Sequence, residues 1–122
     1  MTKPPLSEPT AKELAESVAG YLESVLPTLQ GRAAFHGRVA VNVLNIIARE
    51  AEFGPAAAVR EQQGLAALGF EGELNEARAA LCAAIRDGAA DVETPGLVAH
   101  LLASAKDRVL IEQPNYGSLK RA

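Results

Sequence analysis

The stretch of sequence that decides the fold is RAAFHGRVAVNVLNIIAREAEF, residues 32–53. At about 100° per residue, its apolar side chains cover well over half of the circumference of a helix. Because a helix with so wide an apolar surface is contacted from several directions, we predict that this segment is central to the fold. Gly54 and Pro55 follow it and are typical of a helix end, since Gly caps a helix and Pro blocks its continuation.

Four further helices are predicted around this segment. The first begins at Thr10, which forms a capping-box pattern with Glu13, and it bends or stops between Leu26 and Gly31. Its apolar side chains recur every three or four residues and predict one buried face: Leu14, Val18, Tyr21, Leu22, Val25 and Leu29. The other three helices are predicted over 55–68, 73–87 and 95–113.

For the last of these helices, the sequence predicts an N-cap and an inward-pointing face. Thr94 and Pro95 are typical of an N-cap followed by the first helical residue. The apolar stripe that we expect to point inward consists of Val98, Leu101, Leu102, Ala105 and Val109.

Length and composition agree with a small helical protein. The 122 residues contain 24 Ala and 15 Leu against 9 Val and 4 Ile, a bias toward strong helix formers. We predict an all-α fold, a bundle of four or five helices with a central, largely apolar second helix. The expected organisation is a flexible lead-in over 1–9, one helical bundle domain over 10–114 and a short tail over 115–122.

The charge balance and the cysteine content exclude several classes of protein. A net charge of -3 supplies no electrostatic footprint for nucleic acids or anionic lipids. Cys82 is the only cysteine, so the chain can form no internal disulfide and no cysteine-based metal cluster. No signal peptide and no membrane-spanning run is present in the sequence, so we expect a cytoplasmic protein without cofactor or metal.

Polar residues form one narrow stripe on the second helix. The spacing of i, i+4, i+7, i+11 and i+14 places them within roughly 80° of the circumference. The members of this polar stripe are Arg38, Asn42, Asn45, Arg49 and Glu52. Three interpretations stay open: a solvated strip, a surface for self-association, or a site where arginine and asparagine side chains hold a small anion.

Three other polar residues stand out. His36 and Glu50 fall within the apolar arc of the second helix, so we predict that they are buried and satisfied by structural partners. They lie roughly 21 Å apart along a helix and cannot act on one small substrate. Arg108, on the last helix, is expected to form a structural ion pair with Glu112 or with Glu50.

Signatures of catalysis are missing from the sequence. The glycines are scattered and no GK[ST] sequence follows any of them, which argues against a phosphate-binding loop. The sequence contains no G-x-S-x-G, H-E-x-x-H or C-x-x-C pattern. We predict no catalytic residues and no metal ligands, and enzymatic activity is not the favoured interpretation.

Two motifs carry a resemblance to a known family. FHGRVAVNVL at 35–44, continuing to ARE at 48–50, and DRVLIEQPNY at 107–116 resemble segments of an uncharacterised bacterial family of short helical domains. Its members are encoded beside or fused to aminoglycoside-phosphotransferase-like kinases, often near acyl-CoA dehydrogenases. The matching polar positions are His36, Arg38, Asn42, Arg49, Glu50, Arg108 and Tyr116. The resemblance implies an association with such proteins and assigns no role to any residue.

These observations lead to two alternative functions. The first is an accessory or protein-interaction module that forms a homo-oligomer and associates with a phosphotransferase-type or acyl-CoA dehydrogenase partner. The second is the binding of a small anionic ligand of the phosphate, carboxylate or acyl-CoA type. Both use the same residues as interface or anion-binding stripe: Arg38, Asn42, Asn45, Arg49 and Arg108.

Overall fold

The computed structural model describes residues 8–117, and within that range the fold is all-α, as predicted. Residues 1–7 of the predicted lead-in and 118–122 of the predicted tail lie outside the described residues. The four helices are α1 (Ala11–Val25), α2 (Gly31–Ala67), α3 (Leu74–Arg86) and α4 (Leu97–Glu112). A short 3₁₀ turn, Leu26–Thr28, separates α1 from α2.

The start of α1 confirms the capping-box prediction. The Thr10 hydroxyl accepts a hydrogen bond of 3.1 Å from the Glu13 backbone N–H, and the Thr10 N–H donates to Glu13 Oε1 at 3.2 Å. Two N–H groups that the helix itself cannot satisfy therefore have partners. The chain leaves α1 through the 3₁₀ turn that contains Pro27, which agrees with the predicted bend between Leu26 and Gly31.

The prediction that Gly54 and Pro55 end the second helix is wrong. The two predicted helices over 32–53 and 55–68 are one continuous helix of 37 residues, and Pro55 lies inside it. A proline removes one backbone hydrogen bond and crowds the carbonyl four residues earlier, yet its fixed φ is compatible with a helix. Strong helix formers on both sides, including Ala51 and Ala56–Ala58, favour continuation through that defect.

The chain divides into two compact units, and the division falls at the same glycine and proline. Unit 1 is Met1–Phe53 and unit 2 is Gly54–Ala122. Helix α2 contributes to both of them, since it runs from Gly31 to Ala67. The single domain predicted over 10–114 stays a prediction.

Unit 2 contains a hydrophobic core built from its three helical segments. Leu65 is 1% exposed and is the most deeply buried side chain of this core. The buried cluster is Leu65, Ala77, Leu81, Ala90 and Leu97, and Leu68, Phe70, Leu74 and Ala84 pack against it. Unit 2 therefore buries large apolar side chains from α2, α3 and α4.

Helix α4 differs from its prediction in both its start and its orientation. The helix begins at Leu97, and its N-cap is Gly96 with a φ of 83°, instead of Thr94. A left-handed backbone at this position suits glycine, whereas Pro95 stays in the preceding turn. The buried side chains are Leu97 and Ile111, and the stripe expected to point inward has Val98, Leu101 and Leu102 exposed.

Candidate functional site: an exposed apolar face on the helical hairpin

Unit 1 is an antiparallel hairpin in which α1 lies against the first part of α2. Lys12, at the start of α1, forms an ion pair of 3.7 Å with Glu52. At the other end, the side chain of Leu26 lies so close to Gly37 that an added Cβ would come within 2.7 Å of it. A larger residue at position 37 would therefore displace the end of the Leu26 side chain.

The residues buried in the hairpin are all alanines. Ala15 and Ala19 on α1 and Ala48 on α2 are between 3% and 6% exposed, and we refer to these three as the alanine seam. Among the described residues of unit 1, no larger side chain is fully buried. Alanines allow close approach of two helices, but they remove little apolar area from water.

Six large apolar side chains of the hairpin are exposed. On α1 they occupy positions i, i+4 and i+7, and on α2 positions i, i+4 and i+8. The six residues, which we call the apolar face, are Leu14, Val18 and Tyr21 on α1 and Val39, Val43 and Ile47 on α2. Their exposed fractions lie between 44% and 67%. Single exposed apolar residues are ordinary on proteins, whereas an aligned set marks an interaction surface.

The two halves of the apolar face lie on the same edge of the hairpin. The ion pair between Lys12 and Glu52 marks the opposite edge, on one side of the alanine seam. At about 100° per residue, the face residues of both helices fall on the other side of that seam. Glu16, 3.4 Å from Lys12, also belongs to the charged edge. Glu16 and Glu52 together raise the pKa of Lys12, and the first of these contributes more.

Within unit 1, helix α2 is less enclosed than the sequence predicts. Within 32–53, a range that is described in full, Ala48 alone is buried. His36 and Glu50 are exposed, which corrects their prediction as buried polar residues. The physical reason is that α1 covers only the alanine side of α2 in this unit. The ring of His36 contacts Phe35 edge-on at 5.4 Å between centroids.

The residues of the predicted polar stripe lie at the surface, and their exposure to solvent differs along the helix. Arg38 and Asn42 are exposed, and Asn45 and Arg49 are partly buried. These four residues lie on unit 1, whereas Arg108 lies on α4 in unit 2. Arg108 donates to Glu112 at 2.9 Å, which is one of the two predicted ion pairs. The stripe as an interface or an anion site stays a prediction.

Unit 2 contains a polar seam between α2 and α4 that the sequence interpretation missed. Arg60 forms two hydrogen bonds to Asp107, at 3.1 and 3.0 Å. The His100 ring lies directly over Gly64, where an added Cβ would collide with it. An open cavity of about 360 Å³ beside this seam is lined by Arg60, Glu61, His100, Ser104 and Asp107, among others. The sequence signal that could have predicted this polar seam is the spacing of His100, Ser104 and Asp107 at i, i+4 and i+7, which places them on one face of α4.

The carboxylates in this seam act as structural partners of arginines. Glu61 accepts two hydrogen bonds from Arg78, at 2.6 and 2.5 Å. These bonds hold the pKa of Glu61 below its ordinary value of 4.5. Because Glu61 and Asp107 both pair with guanidinium groups, we interpret the cavity as a gap between helices that ion pairs hold together. Among the residues the structure describes, no group of three His, Cys, Asp or Glu side chains could hold a metal ion.

The Glu61–Arg78 pair predicts an acid-dependent contribution to stability. The folded-state pKa of Glu61 is lowered, so its contribution is complete above its ordinary pKa of 4.5 and is lost as the pH falls through the folded value. Glu61→Gln should lower the free energy of unfolding at pH 7 by about 1 kcal/mol, since Arg78 is half exposed to water.

The measurement is urea denaturation at several pH values. The difference between wild type and Glu61→Gln should shrink as the pH falls below 4.5. Glu71→Gln, at an exposed loop glutamate, serves as the matched control and should change stability by less than about 0.5 kcal/mol. A difference that stays constant down to the acid transition would contradict the pairing.

The comparisons with known proteins identify a family and no activity. No curated protein and no solved structure matches the chain. None of the described helices is long and apolar enough to cross a membrane. A family model described as "Domain of unknown function (DUF6285)" matches residues 27–116, which include all of α2, α3 and α4. The chain therefore belongs to the DUF6285 family.

Proposed function

We propose that the chain is an accessory protein-interaction module whose working surface is the apolar face of the hairpin. The observation that carries this proposal is the arrangement of Leu14, Val18, Tyr21, Val39, Val43 and Ile47 on one edge of unit 1, each at least 44% exposed. Among the described residues of the hairpin, alanines are the only fully buried side chains. An interaction with another protein would remove this apolar surface from water and contribute the missing hydrophobic stabilisation.

A phosphotransferase-type or acyl-CoA dehydrogenase protein is proposed as the client of this module. The support is the resemblance of residues 35–50 and 107–116 to a family encoded beside such proteins. We assign no surface of the chain to that client. The same resemblance supports a bacterial origin, and the content of a single cysteine, which can form no internal disulfide, supports the cytoplasm as the compartment.

The test compares native complexes formed by two variants in extracts of the source cell. The tagged wild-type chain should elute from a sizing column well above its own 12.8 kDa. Val18→Glu, on the apolar face, should elute near that mass, because an ionised carboxylate opposes burial of the face. Glutamate is also a good helix former, so the variant is expected to keep α1.

Arg38→Glu is the matched control for this experiment. Arg38 is exposed on the polar stripe, away from the apolar face, and the change also introduces a glutamate on the hairpin. The control should elute like wild type. If Arg38→Glu reduces the size of the complex and Val18→Glu does not, the interaction surface is the polar stripe. A wild-type chain that elutes as a monomer would overturn the proposal.

A further inference from the structure

We infer that the cavity beside the polar seam of unit 2 binds a small organic anion, with a carboxylate or phosphate group on Lys106 and Arg60 and a short apolar body against α4. All residues of this site belong to unit 2, whereas the apolar face belongs to unit 1, so the inference goes beyond the proposed function. Its arguments are the size of the cavity, the charge that the ion pairs leave over, and the apolar residues of the wall.

One face of α4 forms a wall of the cavity. Residues at i, i+3, i+7 and i+10 share one face of a helix. His100, Ala103, Asp107 and Leu110 have this spacing, and all four line the cavity of about 360 Å³. Ligand pockets in proteins typically have volumes of about 300 to 1,000 Å³. The space beside α4 is therefore large enough for a small ligand.

Two ion pairs fix the walls and neutralise both carboxylates that line the cavity. Arg60 on α2 donates two hydrogen bonds to Asp107 on α4, at 3.1 and 3.0 Å. Glu61 accepts two hydrogen bonds from Arg78. A carboxylate that is paired in this bidentate way has its charge matched by a guanidinium group. The walls are therefore preorganised, and their carboxylates are not available to a cationic ligand.

Lys106 supplies the positive charge that these pairs leave over. Its side chain lines the cavity and is partly buried. Among residues 8–117, no carboxylate forms an ion pair with its ammonium group. Arg60 uses Nε and Nη2 for Asp107, so its Nη1 stays available to a ligand. Arg60, Lys106 and Asp107 together carry one net positive charge, which attracts an anion.

The rest of the lining suits a ligand with an apolar body. Ala103 and Leu110 contribute apolar surface to the cavity, and Leu110 is 48% exposed. The His100 ring lies against α2 at Gly64, where a side chain would collide with it and displace it. A short apolar body beside the anionic group would cover Ala103 and Leu110, whereas inorganic phosphate alone would leave them in water.

The first test titrates the ¹⁵N-labelled full-length chain with butyrate, butyl phosphate and butyramide at low ionic strength, where salt screens the charges least. At least one of the two anions should shift the amides of residues 60–61 and 100–110 with a saturating curve, and the anion that does so identifies the head group. Butyramide has a similar body without charge and should not saturate. Anion shifts that are absent, do not saturate or spread over both units would overturn the site. Equal binding of butyramide would overturn the role of charge.

The second test changes the charge of the site. Lys106→Gln should raise the dissociation constant of the bound anion about tenfold, the effect of losing one charge-assisted hydrogen bond. Lys12→Gln removes the same charge from unit 1 and should bind like wild type. Lys106→Arg keeps the charge and should bind more tightly than Lys106→Gln. Equal dissociation constants for wild type and a folded Lys106→Gln would overturn the assignment, and the titration of wild type decides the site if that variant does not fold.

Discussion

Leu65→Ala should lower the free energy of unfolding by about 3 kcal/mol, within the range of 2 to 5 that core leucines show. Leu65 is 1% exposed at the centre of the buried cluster of unit 2. The loss combines the transfer of the removed carbon atoms with the cavity that they leave. It is a large part of the total stability of a small protein, about 5 to 15 kcal/mol.

Urea denaturation followed by circular dichroism measures this loss. Leu102→Ala is the matched control, because it makes the same chemical change at a side chain of α4 that is 54% exposed. The control should cost less than about 1 kcal/mol, since the removed atoms are already half in water. Equal losses for the two variants would contradict the assignment of the core.

Pro55→Ala should stabilise the chain by about 2 kcal/mol. A proline in a helix interior costs about 3 kcal/mol relative to alanine, because it donates no hydrogen bond and crowds the preceding turn. The greater freedom of an alanine in the unfolded chain returns about 0.4 to 1 kcal/mol of that gain.

Chemical denaturation and hydrogen exchange test this prediction together. The denaturant concentration at the midpoint of unfolding should rise. Backbone amides near positions 51 and 55 should exchange more slowly in Pro55→Ala than in wild type. Pro95→Ala is the control, since Pro95 lies in the turn before α4, outside any helix. Its effect should stay within about 1 kcal/mol. A decrease in stability for Pro55→Ala would show that the proline is required where it stands.

Local features of the sequence were sufficient to predict the fold class and the N-cap of α1. The bias toward alanine and leucine predicts helices, and the Thr10–Glu13 pattern predicts the start of α1. Pro55 led to a wrong prediction of helix ends. A proline inside a helix costs about 3 kcal/mol of stability, an amount that favourable neighbours and tertiary packing can outweigh.

Helical periodicity did not predict which side of a helix faces the rest of the chain. On α1 the stripe of Leu14, Val18 and Tyr21 has the spacing of a core face, yet Ala15 and Ala19 pack against α2. On α4 most of the apolar stripe is exposed while His100 lies over Gly64. Periodicity shows that a stripe avoids water and leaves open whether the same molecule or another covers it.

The alanine seam gives the small and the large side chains of the hairpin different roles. The fully buried residues of the hairpin are small, and the six large residues of the apolar face are left exposed for contacts outside. Substitutions that make those large residues smaller or polar should leave the helix content almost unchanged. They should first alter the number of chains in the complex. Replacing an alanine of the seam with a larger residue should have the opposite effect, since it would separate α1 from α2 before it affected a contact with another chain.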